Sequence, residues 1–180
     1  PPQGFTLRWY AMILDKRQIL SAFLVSFKVA ALTTMLCLLL GLPAAIAAVR
    51  GRFPGRAFVG VFVLAPHTIP GIVLGVAILI AGATAGLPAS TPMLIAGLAC
   101  FYLALATRLV MAQLAGLDPA LEQASLNLGA SRFQTFIRVT LPQLMPAVFA
   151  GAAFTFIESF DNVSVAMFTH DYRARPLPVE

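Results

Sequence analysis

Glu158, Ser159, Asp161 and Asn162 are the residues of this 180-residue chain whose types and spacing best fit chemistry. Two carboxylates three positions apart in an apolar stretch are costly, since each adds about 2.5–3.5 kcal/mol on membrane-insertion scales at the centre of a helix. On a helix Glu158, Asp161, Asn162 and Val165 fall at i, i+3, i+4 and i+7 and share one face. Such a face either lines a polar path and attracts a cation, or pairs with polar groups across a subunit interface. A second polar interruption reads Pro66-His67-Thr68-Ile69-Pro70-Gly71. Pro66 and Pro70 each remove an intrahelical hydrogen bond, freeing carbonyls that need donors where water is absent. That break either borders a substrate path or is a packed kink satisfied by neighbouring helices. No catalytic constellation is legible. His67 and His170 stand alone as metal ligands, the serines lack a nucleophile elbow, and no glycine-rich loop ends in Lys-Ser/Thr to hold phosphate. The chain reads as carrying no catalytic residue, no metal and no cofactor of its own.

The elements that must position these groups follow from composition. Hydrophobic residues make up 59% of the chain and charged residues 11%, with a mean hydropathy of +0.89. Soluble domains carry roughly 25% charged residues, so an all-α, polytopic transmembrane bundle is expected. Four spans are expected over 19–49, 57–81, 92–114 and 143–169. Gly41 and Pro43 are expected to bend the first, and Lys28 to snorkel from it to the headgroups. Gly71 and Gly75 form a small-xxx-small pair for close helix contact. Cys37 and Cys100, distant and without a CxxC neighbour, read as two buried small hydrophobes. The formal charge of +5 is spread among loops, which argues against nucleic acid as a partner.

Orientation follows from arginines. Arg50, Arg52 and Arg56 crowd one short loop, whereas 82–91 carries no charge, so the first loop and the 118–142 loop are expected in the cytoplasm. Segments 1–18, with Trp9 and Tyr10 as interfacial aromatics, and 170–180 are then periplasmic.

The 118–142 loop has a helical pattern of its own. Asp118-Pro119 is an N-cap followed by proline at the first helical position. Leu121, Ala124, Ser125 and Leu128 make a narrow stripe opposed by Glu122, Gln123 and Asn127. Gly129 stands where a left-handed residue ends a helix. Ser131 and Gln134 are spaced as a capping box for a second short helix bearing Phe133, Phe136 and Ile137. The stripe suits docking onto another protein; the other reading is a re-entry helix lying on the membrane surface.

Gly129, nine residues, Val139, one residue and Leu141-Pro142 resemble the EAA loop of ABC-importer permeases, E-A-A-x-x-x-G-x(9)-I-x-L-P. Gln123, Ala124 and Ser125 occupy its first three positions, so a glutamine replaces the acid and Glu122 supplies the nearest carboxylate. LGLPAAIAAVRGRFPGR, APHTIPGIVLG and SFDNVSVAMF are similar to the polyamine/opine/iron-type branch of that family. Members usually have six spans, and the resemblance implies that this chain corresponds to spans two to five. It also implies that Leu121, Ala124 and Leu128 fill a groove on a cytoplasmic ABC ATPase dimer. Glu122 and Gln123 would make rim contacts, Gly129 would permit the turn, and Arg132 and Arg138 would orient the second helix. The implied partners are that ATPase, which holds the ATP and Mg, a second permease subunit, a periplasmic or lipid-anchored substrate-binding protein, and membrane lipid. The implied cargo is a small polar solute such as a polyamine or an iron complex. An ion-coupled secondary transporter or channel using Glu158 and Asp161 is the alternative from another class.

Overall fold

The computed structural model describes residues 17–169 and Pro176, and every regular element among them is helical. Helix α1 spans Arg17–Arg50, α2 Arg56–Leu64, α3 Gly71–Thr84 and α4 Thr91–Gly116. Helix α5 follows over Pro119–Asn127, α6 over Arg132–Thr135, α7 over Leu141–Phe160 and α8 over Ala166–Thr169. The expected periplasmic segments, with Trp9 and Tyr10, lie outside the described residues apart from the start of α1 and Pro176.

Among the described residues three stretches are each long and apolar enough to cross a membrane: Ile19–Arg50, Thr91–Gly116 and Arg132–Phe160. The second expected span differs from a kinked rod. Phe58–Thr68 and Gly71–Thr84 meet at 104°, so the chain turns nearly at right angles there. Pro66 and Pro70 explain why, since neither can donate a helical hydrogen bond and each ring crowds a preceding carbonyl.

Helices α1, α4 and α7 form the packed centre. Cys37 Sγ lies 3.6 Å from the Ala99 carbonyl and Gly41 packs on Thr107, so α1 and α4 run parallel. Helix α7 is antiparallel to α4: Gln113 donates to the Gln143 carbonyl at one end and Tyr102 to the Glu158 carbonyl further along. Small residues allow these approaches. A Cβ on Gly41 would sit 2.8 Å from Thr107 Oγ1, and one on Gly151 3.3 Å from the Ala106 Cα. Gly41 therefore serves contact with α4, and α1 continues helically through Pro43. Gly75 likewise lets the 164–168 segment lie against α3, with Phe168 and the Ser164 carbonyl both 3.0 Å from a would-be Cβ. The core is built from Val29, Cys37, Leu98, Tyr102, Ala106 and Val165, while Leu24, Met35, Phe58 and Phe62 are exposed. Cys100 is exposed too, contrary to the expected burial, because it falls on the outer side of α4.

The fourth span also departs from expectation at both ends. It begins at Arg132, because α6 runs through a π-helical turn, Phe136–Thr140, directly into α7. The second short helix of the loop is therefore the root of the span. The widened turn accommodates Pro142, which has no N–H and would crowd the Arg138 carbonyl in a regular helix. Leu141 N–H reaches back five residues to the Phe136 carbonyl. At the other end α7 stops at Phe160, not 169.

Candidate functional site

The early end of α7 creates an open cleft of about 320 Å³ lined by Gly71, Phe101, Tyr102, Glu158, Asp161, Asn162, Val163 and Ser164. Its organiser is Tyr102 on α4. In a continuing helix the Glu158 carbonyl would accept from the Asn162 amide. Instead it accepts from the Tyr102 hydroxyl at 3.0 Å. That hydroxyl in turn accepts from Asn162 Nδ2 at 2.7 Å, and Asn162 Oδ1 accepts from the Val165 amide at 2.8 Å, starting a new turn. The helix end is thus satisfied from across the bundle.

This geometry corrects the sequence reading of the acids. Asp161 is the C-terminal cap of α7 and Asn162 is outside it, so Glu158, Asp161, Asn162 and Val165 do not form one helical face. Glu158 and Asp161 are exposed at the cleft, Asn162 is half-buried, and Ser159 is buried in the helix packing away from the lining. The cleft lies deep. Tyr102 stands eleven residues after Thr91, about 16 Å along a helix about 39 Å long at 1.5 Å per residue.

The break between α2 and α3 reaches the same level. His67 Nδ1 is 3.2 Å from the Phe101 carbonyl, which requires the proton on that nitrogen, and its ring packs 5.0 Å from Phe101. Thr68 donates its hydroxyl to the Ala65 carbonyl at 2.7 Å, and Ile69 N–H reaches the Pro66 carbonyl. The break satisfies much of its own backbone. Of this stretch Gly71 lines the cleft; Pro66, His67, Thr68 and Pro70 do not. Two interruptions that are separate in sequence therefore converge on Phe101 and Tyr102, residues the sequence reading missed. The available signal was that Tyr102 is a tyrosine within an apolar span, whose hydroxyl must find a partner when buried.

At the far end of the bundle, Asp118 accepts from the Ala120 amide at 2.9 Å, opening α5. Gly129 closes the helix at φ 88°, and Ser131 with Gln134 forms both bonds of the capping box. Leu121 is 53% exposed, Leu128 89% and Phe133 73%; Gln123, Ala124, Arg132 and Pro142 are also exposed and Leu141 is half-buried. Glu122 is different. It accepts from Arg50 at the end of α1 and from the Thr140 hydroxyl, so it faces the chain and not an outer rim. Ser125 also turns inward, its hydroxyl 3.0 Å from that of Thr135. Partial burial pushes the Glu122 carboxyl up, but the Arg50 and Thr140 hydrogen bonds and the Arg50 charge outweigh it and hold it below its ordinary value. The contact places the 51–55 and 117–131 loops at one end of the bundle.

The model of the family described as "Binding-protein-dependent transport system inner membrane component" matches residues 18–173. The chain belongs to this family. It is accordingly an inner-membrane component, and its apolar helices fit a multi-pass chain. Among its relatives, the putrescine transport system permease protein PotI of Escherichia coli K12 is 33% identical over 98% of this chain. The chain spans 65% of PotI's length. The spermidine/putrescine transport system permease protein PotC of the same organism is 31% identical over 98% of this chain and 68% of PotC. A bacterial ABC transporter that imports alginate has a chain of the same fold, with TM-score 0.75 and 18% identity over 94% of this chain and 59% of that one. An amino acid ABC transporter matches at TM-score 0.69 and 20% identity, over 97% and 80% respectively.

Proposed function

We propose that this inner-membrane component is the permease subunit of an ATP-driven importer and that α5 and the turn after it dock onto a cytoplasmic ATPase. The observation that carries the reading is the two-sided character of α5. Its inner side is tied to α1 and to the root of α7, while Leu121, Leu128 and Phe133 are exposed at the end of the bundle that bears Arg50, Arg52 and Arg56. The arginines there support a cytoplasmic placement of that end. ATP and Mg belong to the ATPase dimer; a second permease subunit and a periplasmic or lipid-anchored binding protein complete the assembly.

The cleft at Tyr102 lies on the solute path in this reading. It sits at mid-depth where a helix is discontinuous, a common setting for transporter sites. Glu158 and Asp161 beside the Phe101 and Tyr102 rings suit an organic cation, by charge and by cation–π attraction. The names of PotI and PotC, putrescine and spermidine transport, agree with that choice.

The test is Gly129→Val. At φ 88° a branched side chain costs about 1–2 kcal/mol in the left-handed region, while a Cβ there would meet nothing within 4 Å. The lesion is therefore confined to the shape of the turn. We expect the variant to reach the membrane, to lose co-purification with the ATPase, and to lose uptake. Undiminished uptake, or uptake by the wild-type chain in cells without the ATPase, would refute the reading and favour ion coupling through Glu158 and Asp161.

A further inference from the structure

Glu122 lies between three elements. It accepts from Arg50 at the C-terminal turn of α1 and from Thr140 in the π-turn that roots α7, and it belongs to α5 itself. One helical turn further along α5, Ser125 meets Thr135. Residues three apart share a face of α5. Thr135 and Thr140 are five apart, and in an α-helix of 3.6 residues per turn they would point about 140° away from each other. The π-turn changes this. A turn closed by bonds spanning five residues brings five-apart positions back to nearly one side. Both threonines then reach α5, and both are buried.

We infer that Glu122 is a positioning residue: with Arg50 and Thr140 it clamps α5 to the end of α1 and to the root of α7, so that the loop and both transmembrane helices move as one body. The inference rests on the reading that an ATPase pushes on this loop. A carboxylate suits the task because it accepts from two directions at once, and a guanidinium fixes its orientation as well as its charge. Without the clamp, a push on α5 would be absorbed by rotation about Gly129 and the 117–118 junction. Arg52 on the neighbouring loop and Arg56 at the start of α2 are exposed, and neither replaces Arg50 at the carboxylate.

The test uses the complete transporter with its ATPase, in a background with Cys37 and Cys100 replaced by serine. Spin labels on Arg52→Cys and Ala120→Cys report the distance between the end of α1 and α5, with and without a non-hydrolysable ATP analogue. For wild type we expect one distance, the same in both states. For Glu122→Gln we expect that distance without nucleotide and a second population with it. The exchange Arg50→Glu/Glu122→Arg should restore the single distance, whereas each half of the exchange alone should not. A single unchanged distance for Glu122→Gln in both states would overturn the clamp. So would a wild-type distance that shifts with nucleotide, or a Glu122→Gln distribution already broad without it, which would mark a folding role. Co-purification separates the two ideas. If the wild type fails to hold the ATPase, the reading of the loop falls; if it holds the ATPase and Glu122→Gln behaves as wild type, only the clamp falls.

Discussion

Asn162 donates its side-chain amide to the Tyr102 hydroxyl across 2.7 Å, and this bond joins positions sixty apart at the point where α7 ends. Removing the hydroxyl leaves the Glu158 carbonyl and the Asn162 amide each short of a partner. An unsatisfied buried group costs about 1–3 kcal/mol. Both groups are only partly buried, so Tyr102→Phe should destabilise the folded chain by an amount near the lower end of that range, read as a lower thermal unfolding midpoint in detergent. Asn162→Leu should be less than additive with it, because both changes disable one network. Additive effects would show that the two residues act separately.

The acids at the cleft give a prediction about transport. Asp161 caps α7 through its backbone, so Asp161→Asn keeps the cap and removes only charge. If the cleft receives an organic cation, this change and Glu158→Gln should each raise the KM for putrescine uptake about tenfold, with protein level unchanged. A tenfold change corresponds to about 1.4 kcal/mol, reasonable for one partly screened charge. Equal KM values for wild type and both variants would remove the acids from the path.

The local devices of this chain were legible because they are written in contiguous residues. Asp118-Pro119, Gly129 and the Ser131–Gln134 capping box are all found as their sequence patterns imply. The apolar runs likewise marked the long helices. What could not be read was which side of a short helix faces the protein. Glu122 looks like an outward polar residue until Arg50, seventy-two positions away, is brought beside it. The end of α7 was hidden for the same reason. Val163 to Thr169 is apolar enough to continue a span, and the partner that holds the helix end open is Tyr102 on another helix. The π-turn has no composition signature beyond Pro142, and it alone decides that Thr135 and Thr140 face α5 together.

Acid should expose the Glu122 contact. Its carboxyl is held below the ordinary value in the folded chain, so the stabilisation is whole above the usual carboxylate range and is lost as pH falls through the lower folded-state value. Wild type should be more stable than Glu122→Gln at neutral pH, and the two unfolding midpoints should converge only as the solution becomes strongly acidic. A difference that is independent of pH would mean that the charge of Glu122 contributes nothing.

The last prediction concerns the crossing of α1 and α4. A methyl group on Gly41 would lie 2.8 Å from Thr107 Oγ1, closer than real contacts allow, and that oxygen is held in place by its bond to the Leu103 carbonyl at 2.7 Å. The next atoms, Leu103 Cδ1 and the Thr107 amide nitrogen, are both 3.6 Å away, which is ordinary contact. The obstacle is thus a single oxygen. Gly41→Ala should destabilise the bundle by about 1–3 kcal/mol, the usual range for overpacking. Thr107→Ala removes the obstacle at the cost of a hydroxyl bonded within its own helix and of one buried methyl group. The double variant Gly41→Ala/Thr107→Ala should therefore be more stable than Gly41→Ala alone, measured by thermal unfolding of the purified protein. A double variant at least as unstable as Gly41→Ala would show that the helices approach through other atoms at this crossing.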